Sequence, residues 1–91
     1  DYKYEDAVFQ VPIDWTQWLA GLNTLSTVTY DFDAGIVLTD EAIVDETSVV
    51  TVSFSTVGQF TLCAKATDSA GNVKSVKVIY NVIKCKNNYY P

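Results

Sequence analysis

Two cysteines and three pairs of carboxylates are the residues of this chain with chemistry to offer. Cys63 and Cys85 are possible nucleophiles, metal ligands or disulfide partners, and Asp31/Asp33, Asp40/Glu41 and Asp45/Glu46 bring acids close together. The 91 residues contain no His and no Arg. General acid–base catalysis most often uses His, and no serine, threonine or cysteine has a base at a recognisable spacing. Without Arg or His to position a substrate, the carboxylate pairs read as solvated loop residues. Asp31, Asp33, Asp40 and Glu41 can supply oxygen ligands to Ca²⁺, which takes about six to eight, but no EF-hand loop spacing is present. Two distant cysteines without a His make a poor zinc site. Catalysis, cofactors and metals are therefore not expected.

The elements that hold these residues are strands. From Gly58 to Ile83 the chain reads as two alternating runs joined by Asp68-Ser69-Ala70-Gly71-Asn72. Phe60, Leu62, Ala64 and Ala66 share one face of the first run; Val76, Val78, Tyr80 and Val82 share one face of the second. Period-two alternation marks half-buried antiparallel strands, and the intervening residues suit a turn: Gly and Asn tolerate positive φ, and Asp bonds its own backbone. Placing Thr67 opposite Val73 pairs Ala64 with Val76, Leu62 with Val78 and Phe60 with Tyr80. A slip of one residue would put the apolar sets on opposite faces. Cys63 then faces Lys77 on the outer side, and this neighbour favours a thiolate, although an ordinary surface cysteine is the plainer reading. Cys85 lies eight residues beyond Lys77, about 26 Å along an extended strand, whereas bridged Cα atoms lie within ~7 Å. Both thiols are expected to be free, which suits a reducing cytoplasm.

Upstream, Ala7 to Ile13 alternates, with Phe9, Val11 and Ile13 on one face, and Pro12 restricts it to an edge strand or a strand end. Trp15, Trp18 and Leu19 have helical spacing, with Asp14 to cap and Gly21 to stop. One or two turns here would close the end of a core. Thr24 to Phe32 reads as a strand with Val28, Tyr30 and Phe32 on one face, followed by a turn at Asp33-Ala34-Gly35. Ile36 to Leu38 reads as a short apolar strand, Thr39 to Thr47 as an acidic connector, and Val49 to Phe54 as a strand with Val50, Val52 and Phe54 inward. Six or seven short strands in a chain of this length point to an all-β antiparallel Greek-key sandwich. The core is expected to centre on Trp15, Trp18, Phe60, Leu62, Val78 and Tyr80. Residues 1–6 and 84–91 read as tails around a domain spanning 7–83.

Two stretches carry a family resemblance. Phe60 to Val73 (FTLCAKATDSAGNV) resembles the last hairpin of bacterial and phage immunoglobulin-like modules, which carry a T-D-x-x-G-N-type turn. Phe9 to Thr29 resembles the opening of small Ig-like proteins of tailed-phage virions, whose D-W-[ST]-x-W-L segment is matched by Asp14, Trp15, Thr16, Trp18 and Leu19. Ala20 and Gly21 continue that match, and Thr24, Leu25, Ser26 and Thr29 fit the strand that follows. The chain departs at Tyr30, near where a Trp is usual, and at Leu22-Asn23, where an acidic pair is usual. The resemblance covers about residues 9–83. It implies an Ig-like sandwich and a structural role in a virion, as a capsid decoration or cement subunit or in the neck or tail. The other reading is an adhesive Ig-like module of a bacterial surface protein.

Charge suggests how such a module attaches. Residues 1–73 hold all eleven acids with only Lys3 and Lys65, whereas 74–91 hold Lys74, Lys77, Lys84 and Lys86 and no acid. An acidic chain without Arg is a poor match for nucleic acid. No apolar run approaches the ~18 residues of a membrane span, and no signal peptide is visible, although a chain that does not open on Met is compatible with processing. Tyr2, Tyr4, Tyr89 and Tyr90 offer large contact area with a polar tip. The docking candidates are therefore Tyr2, Tyr4, Lys74, Lys77, Lys84, Lys86, Tyr89 and Tyr90. The expected partner is a capsid or other virion protein, or a copy of the chain itself, with assembly in the host cytoplasm. For the alternative reading the location is the bacterial surface.

Overall fold

The computed structural model describes residues 2–84. Seven strands and one short helix follow in the order β1 (Tyr2–Tyr4), β2 (Val8–Asp14), α1 (Thr16–Leu19), β3 (Leu25–Phe32), β4 (Ile36–Val44), β5 (Thr47–Phe54), β6 (Gly58–Asp68) and β7 (Val73–Ile83). They form a four-stranded sheet, β1-β7-β6-β3, and a three-stranded sheet, β2-β5-β4. Lettered in chain order, β2, β5 and β4 occupy the B, E and D places of an immunoglobulin sandwich, and β3, β6 and β7 the C, F and G places. The protein is an all-β sandwich of that kind, with its first strand moved to the β7 edge.

The β6–β7 hairpin has the register expected from alternation: Phe60 faces Tyr80, Leu62 faces Val78, Cys63 faces Lys77 and Thr67 faces Val73. Phe60, Leu62, Ala64, Ala66, Tyr80 and Val82 are buried. Asp68 closes the turn. Its carboxylate accepts from the Ala70 and Asn72 N–H groups at 2.9 and 2.8 Å, from the Asn72 amide at 3.0 Å and from the Asn23 amide at 3.1 Å. Burial opposes ionisation of this group, which is only 5% exposed, but the surrounding donors prevail and hold the carboxyl below the usual range.

The core divides along β6. At one end Ile36, Val50, Val52, Phe54, Phe60, Leu62, Tyr80 and Val82 pack together, joined by half-buried Phe9, Val11 and Leu38. At the other, Ala64 and Ala66 leave room for Trp15 and Leu19. Trp15 is 2% exposed, and its Nε1–H donates to the buried Ser48 hydroxyl at 2.9 Å. Asp14 accepts from the Thr16 N–H at 2.9 Å and from the Thr16 hydroxyl, which organises the first turn and keeps the Asp14 carboxyl low. The helix stops at Ala20 (φ 55°), and Gly21 (φ 71°) continues in the left-handed region. Gly35 is required by space as well as by its φ of 108°: a Cβ there would lie 2.6 Å from the Phe60 ring.

Three expectations need correction. Residues 1–6 are not simply a tail, because Tyr2–Tyr4 is a strand that pairs with β7. That pairing is parallel, so the sandwich is not wholly antiparallel. The acidic stretch 39–47 is not a connector: most of it extends β4, a bulge at Asp40 and Glu41 interrupts its pairing with β5, and the turn is confined to Asp45 and Glu46. Six consecutive residues, 39–44, all stay exposed, so the stretch has no hydrophobic period to mark it as a strand. At the strand ends and the sheet edge apolar residues stay exposed: Phe32 is 44% exposed at the end of β3, and Val37 is 43% exposed on edge strand β4.

Candidate interaction surface

The described docking candidates lie on β1, on β7 or directly after it, the two strands at one edge of the four-stranded sheet. β1 runs parallel to the last residues of β7, with Tyr2 beside Asn81, Lys3 beside Val82 and Tyr4 beside Ile83. Alternation sends Lys3 inward, where its Nζ lies 4.3 Å from the Phe9 ring centroid on the opposing sheet. Tyr2 and Tyr4 consequently point outward, 72% and 52% exposed. Together with Lys3 and Ile83 they line a small open groove of about 160 Å³. The N-terminal tyrosines and the end of β7 thus form one patch, with exposed Lys84 directly after it.

Lys74 and Lys77 do not join that patch. Lys74 stands at the start of β7, beside the α1 end of the sandwich, and ten residues of strand separate it from Lys84, about 33 Å. It lines a second open groove, about 390 Å³, with Ile13, Asp14, Trp15, Gln17, Trp18 and Val76. Lys77 lies on the outer face of the four-stranded sheet, beside Cys63, whose other cross-strand neighbour is Asp31. The thiol therefore sits between charges of opposite sign, and Cys63 is free. Cys85, Lys86, Tyr89 and Tyr90 lie outside the described residues, so the expectation that Cys85 is free and the contact roles of the other three extend beyond them.

The acids are used locally. Asp33 accepts from the Thr61 N–H at 2.9 Å through its carboxylate and from the Ile36 N–H at 3.2 Å through its carbonyl, tying the β3–β4 turn to β6. Asp40 and Asp45 adopt positive φ at the bulge and the turn of the β4–β5 hairpin. Among the described residues, no three acids or cysteines gather as a metal-binding group. A third groove, about 280 Å³, opens between β3 and β4 and is lined by Val28, Tyr30, Glu41, Ala42 and Ile43. Burial pushes the Tyr30 phenol up, a hydrogen bond with Ser48 opposes this, and Glu41 adds to it.

Two residues that this geometry uses, Ser48 and Lys3, have no signal in the sequence. Ser48, the buried acceptor for Trp15, carries no signal in a run of β-formers. Lys3 carries no strand signal, because Tyr-Lys-Tyr is too short for alternation to be read. No helix among the described residues is long and apolar enough to cross a membrane. No protein-family model matches the chain, and no curated protein matches its sequence.

Proposed function

We propose that this protein is a non-enzymatic structural subunit of a tailed-phage virion, an Ig-like decoration or cement module attached to the capsid through the β1–β7 edge. The observation that carries this reading is the surface chemistry of that edge. Tyr2 and Tyr4 stand exposed beside exposed Ile83, and β7 together with Lys84 carries three lysines and no acid. Most of the chain's acids lie elsewhere, although Glu5 and Asp6 follow β1 directly, so the β7 side of this edge is where an acidic shell would meet the least charge repulsion. The D-W-[ST]-x-W-L resemblance supports the choice of a virion as the setting. In this fold, Trp15 and Leu19 of that motif are spent on the core, leaving the strands to meet partners. Individual contacts of this size are weak, and attachment would gain from many copies on one particle.

The test is co-sedimentation with particles that lack the protein. A chain missing residues 84–91, and separately a Tyr2→Ser/Tyr4→Ser variant, should stay folded by circular dichroism and bind less than the intact chain. Undiminished binding of both would remove the β1–β7 edge from attachment. Binding of the intact chain to the neck or tail alone would move the module to that position, and binding to bacterial cells but not to particles would favour the adhesive reading.

A further inference from the structure

The bulge in β4 changes which of its residues face the core. Cross-strand partners share a face of the sheet, and on β5 the buried residues are Ser48, Val50, Val52 and Phe54. Ahead of the bulge Ile36 faces Phe54 and Leu38 faces Val52; beyond it Ile43 faces Ser48. The inward set therefore passes from even to odd positions across Asp40 and Glu41, with Asp40 at φ 54°. Glu41 and Ile43 are thus turned toward the interior, yet neither is covered. Glu41 is exposed and Ile43 is 42% exposed. β3 and β4 are the edge strands of their sheets on this side, and the seam between them opens as the groove lined by Val28, Tyr30, Glu41, Ala42 and Ile43.

This groove combines aliphatic surface, a phenol and one charge. Val28 and Ile43 supply the aliphatic surface. The Tyr30 phenol is hydrogen-bonded with Ser48, and the same hydroxyl accepts the buried Trp15 Nε1–H at 2.9 Å. Glu41 stands close enough for its charge to act on that phenol. No lysine among the described residues lines the groove. Lys65 of β6 pairs with Thr29, on the face of β3 turned away from it. At about 280 Å³ the space falls short of the roughly 300–1,000 Å³ typical of small-molecule pockets and suits one long side chain.

We propose that the β3–β4 groove receives a lysine side chain of a partner protein, its stem along Val28 and Ile43 and its ammonium on the Glu41 carboxylate beside the Tyr30 hydroxyl. Lysine buries its methylenes on apolar surface while its charged head keeps a polar partner. The ammonium has three donors, enough for the carboxylate and the phenol oxygen together. Charge selects the occupant. From Leu25 to Glu46 the chain carries Asp31, Asp33, Asp40, Glu41, Asp45 and Glu46 and no lysine, so the field on this side draws a cation and repels an acidic segment. An inward charge on an edge strand also discourages strand addition, a role that requires no bound cation. The groove lies across the sandwich from β1 and β7, and its occupant does not depend on the virion reading.

The probe is lysine capped at both backbone ends, with its ε-acetylated counterpart as the uncharged control, titrated into the full chain at low salt. The charged probe should bind at least about tenfold tighter than the control. It should shift the amide resonances of Tyr30, Glu41 and Ile43 and the indole N–H of Trp15. Glu41→Gln should weaken binding about tenfold, whereas Glu46→Gln, which removes a charge from the same hairpin outside the groove, should change it less than about twofold. Equal affinity for probe and control, equal loss from the two substitutions, shifts confined to β6 or β7, or no binding at about 20 mM would overturn the proposal and leave Glu41 as a charge that blunts the edge. So would self-association of the intact chain that Glu41→Gln abolishes, since the groove would then take a lysine of a second copy. The assay contains no particle, so its failure leaves the virion reading intact, and failure of that reading leaves the lysine result standing.

Discussion

The two ends of the core are built on the same central strand by opposite means. Away from α1, β6 contributes Phe60 and Leu62, and the space between the sheets is filled by interlocking rings. Phe54 lies 5.9 Å from Phe9, 5.9 Å from Phe60 and 5.6 Å from Tyr80, and Phe9 lies 5.5 Å from Tyr80. Toward α1, β6 contributes only Ala64 and Ala66, both buried, and the helix lowers Trp15 and Leu19 into the space they leave. Trp15 meets one other ring, Trp18, at 6.0 Å. The aromatic end is filled by several buried rings from both sheets, whereas the helical end sets one buried ring, Trp15, with Leu19 against two alanines and half-buried side chains such as Ile13, Val28 and Val76. A step down in residue volume along one strand is thus enough to turn a sheet-on-sheet core into a helix-capped one.

The largest effect should come from removing the buried Trp15 ring. Trp15→Ala is expected to cost about 3–5 kcal/mol in urea unfolding, a large part of a small domain's stability, and leaves the Ser48 hydroxyl without its donor. Trp18 is only half-buried, so Trp18→Ala should cost less. Equal losses would mean that the two indoles share the load.

A smaller loss should follow from filling the space instead. Ala66→Leu puts added methylenes where Trp15 and Leu19 already pack, and overpacking of this kind typically costs about 1–3 kcal/mol. Native-state hydrogen exchange should report the loosening at α1 and at the start of β7 while Phe60 and Tyr80 keep their protection. Uniform loosening would show that the two ends unfold as one unit.

The α1 end should also carry the acid sensitivity given by Asp68 and Asp14, whereas the raised tyrosines, Tyr30 and Tyr80, lie against both parts of the core. Asp68 and Asp14, both at the α1 end, have carboxyls held below the usual range. A depressed folded value adds stability above the unfolded one, and that stability is lost as pH falls below about 4. Tyr80, at the aromatic end, is raised by burial. Its contribution is present below the unfolded value and is lost as pH climbs above about 10. Asp68→Asn should flatten the acid limb of the stability profile, and Tyr80→Phe should flatten the alkaline limb with little change at neutral pH. If both variants altered the same limb, the assignment of acid sensitivity to the α1 end would be wrong.

Much of this was legible beforehand because it depends on local period. Alternation from Phe60 to Val82 determined the inward face, the hairpin register and the outward place of Cys63, since a one-residue slip inverts every side chain. The spacing of Trp15, Trp18 and Leu19 determined a short apolar helix, and Pro12 determined an edge. The acidic β4 was not legible in the same way. A strand exposed on both faces shows no hydrophobic period, and only its partner β5 makes it a strand.

Tertiary structure alone decided the rest. The sequence determined that Tyr2, Tyr4 and the β7 lysines were candidates for contact, but not that Tyr2 and Tyr4 would meet Ile83 while Lys74 stood at the far end of the strand. Placement of β1 against β7 depends on three residues pairing with others about eighty positions away and on Lys3 reaching Phe9 across the sheets. Local propensity acts within a few neighbours, whereas the pairing of distant edges is settled when the two sheets close on a common core.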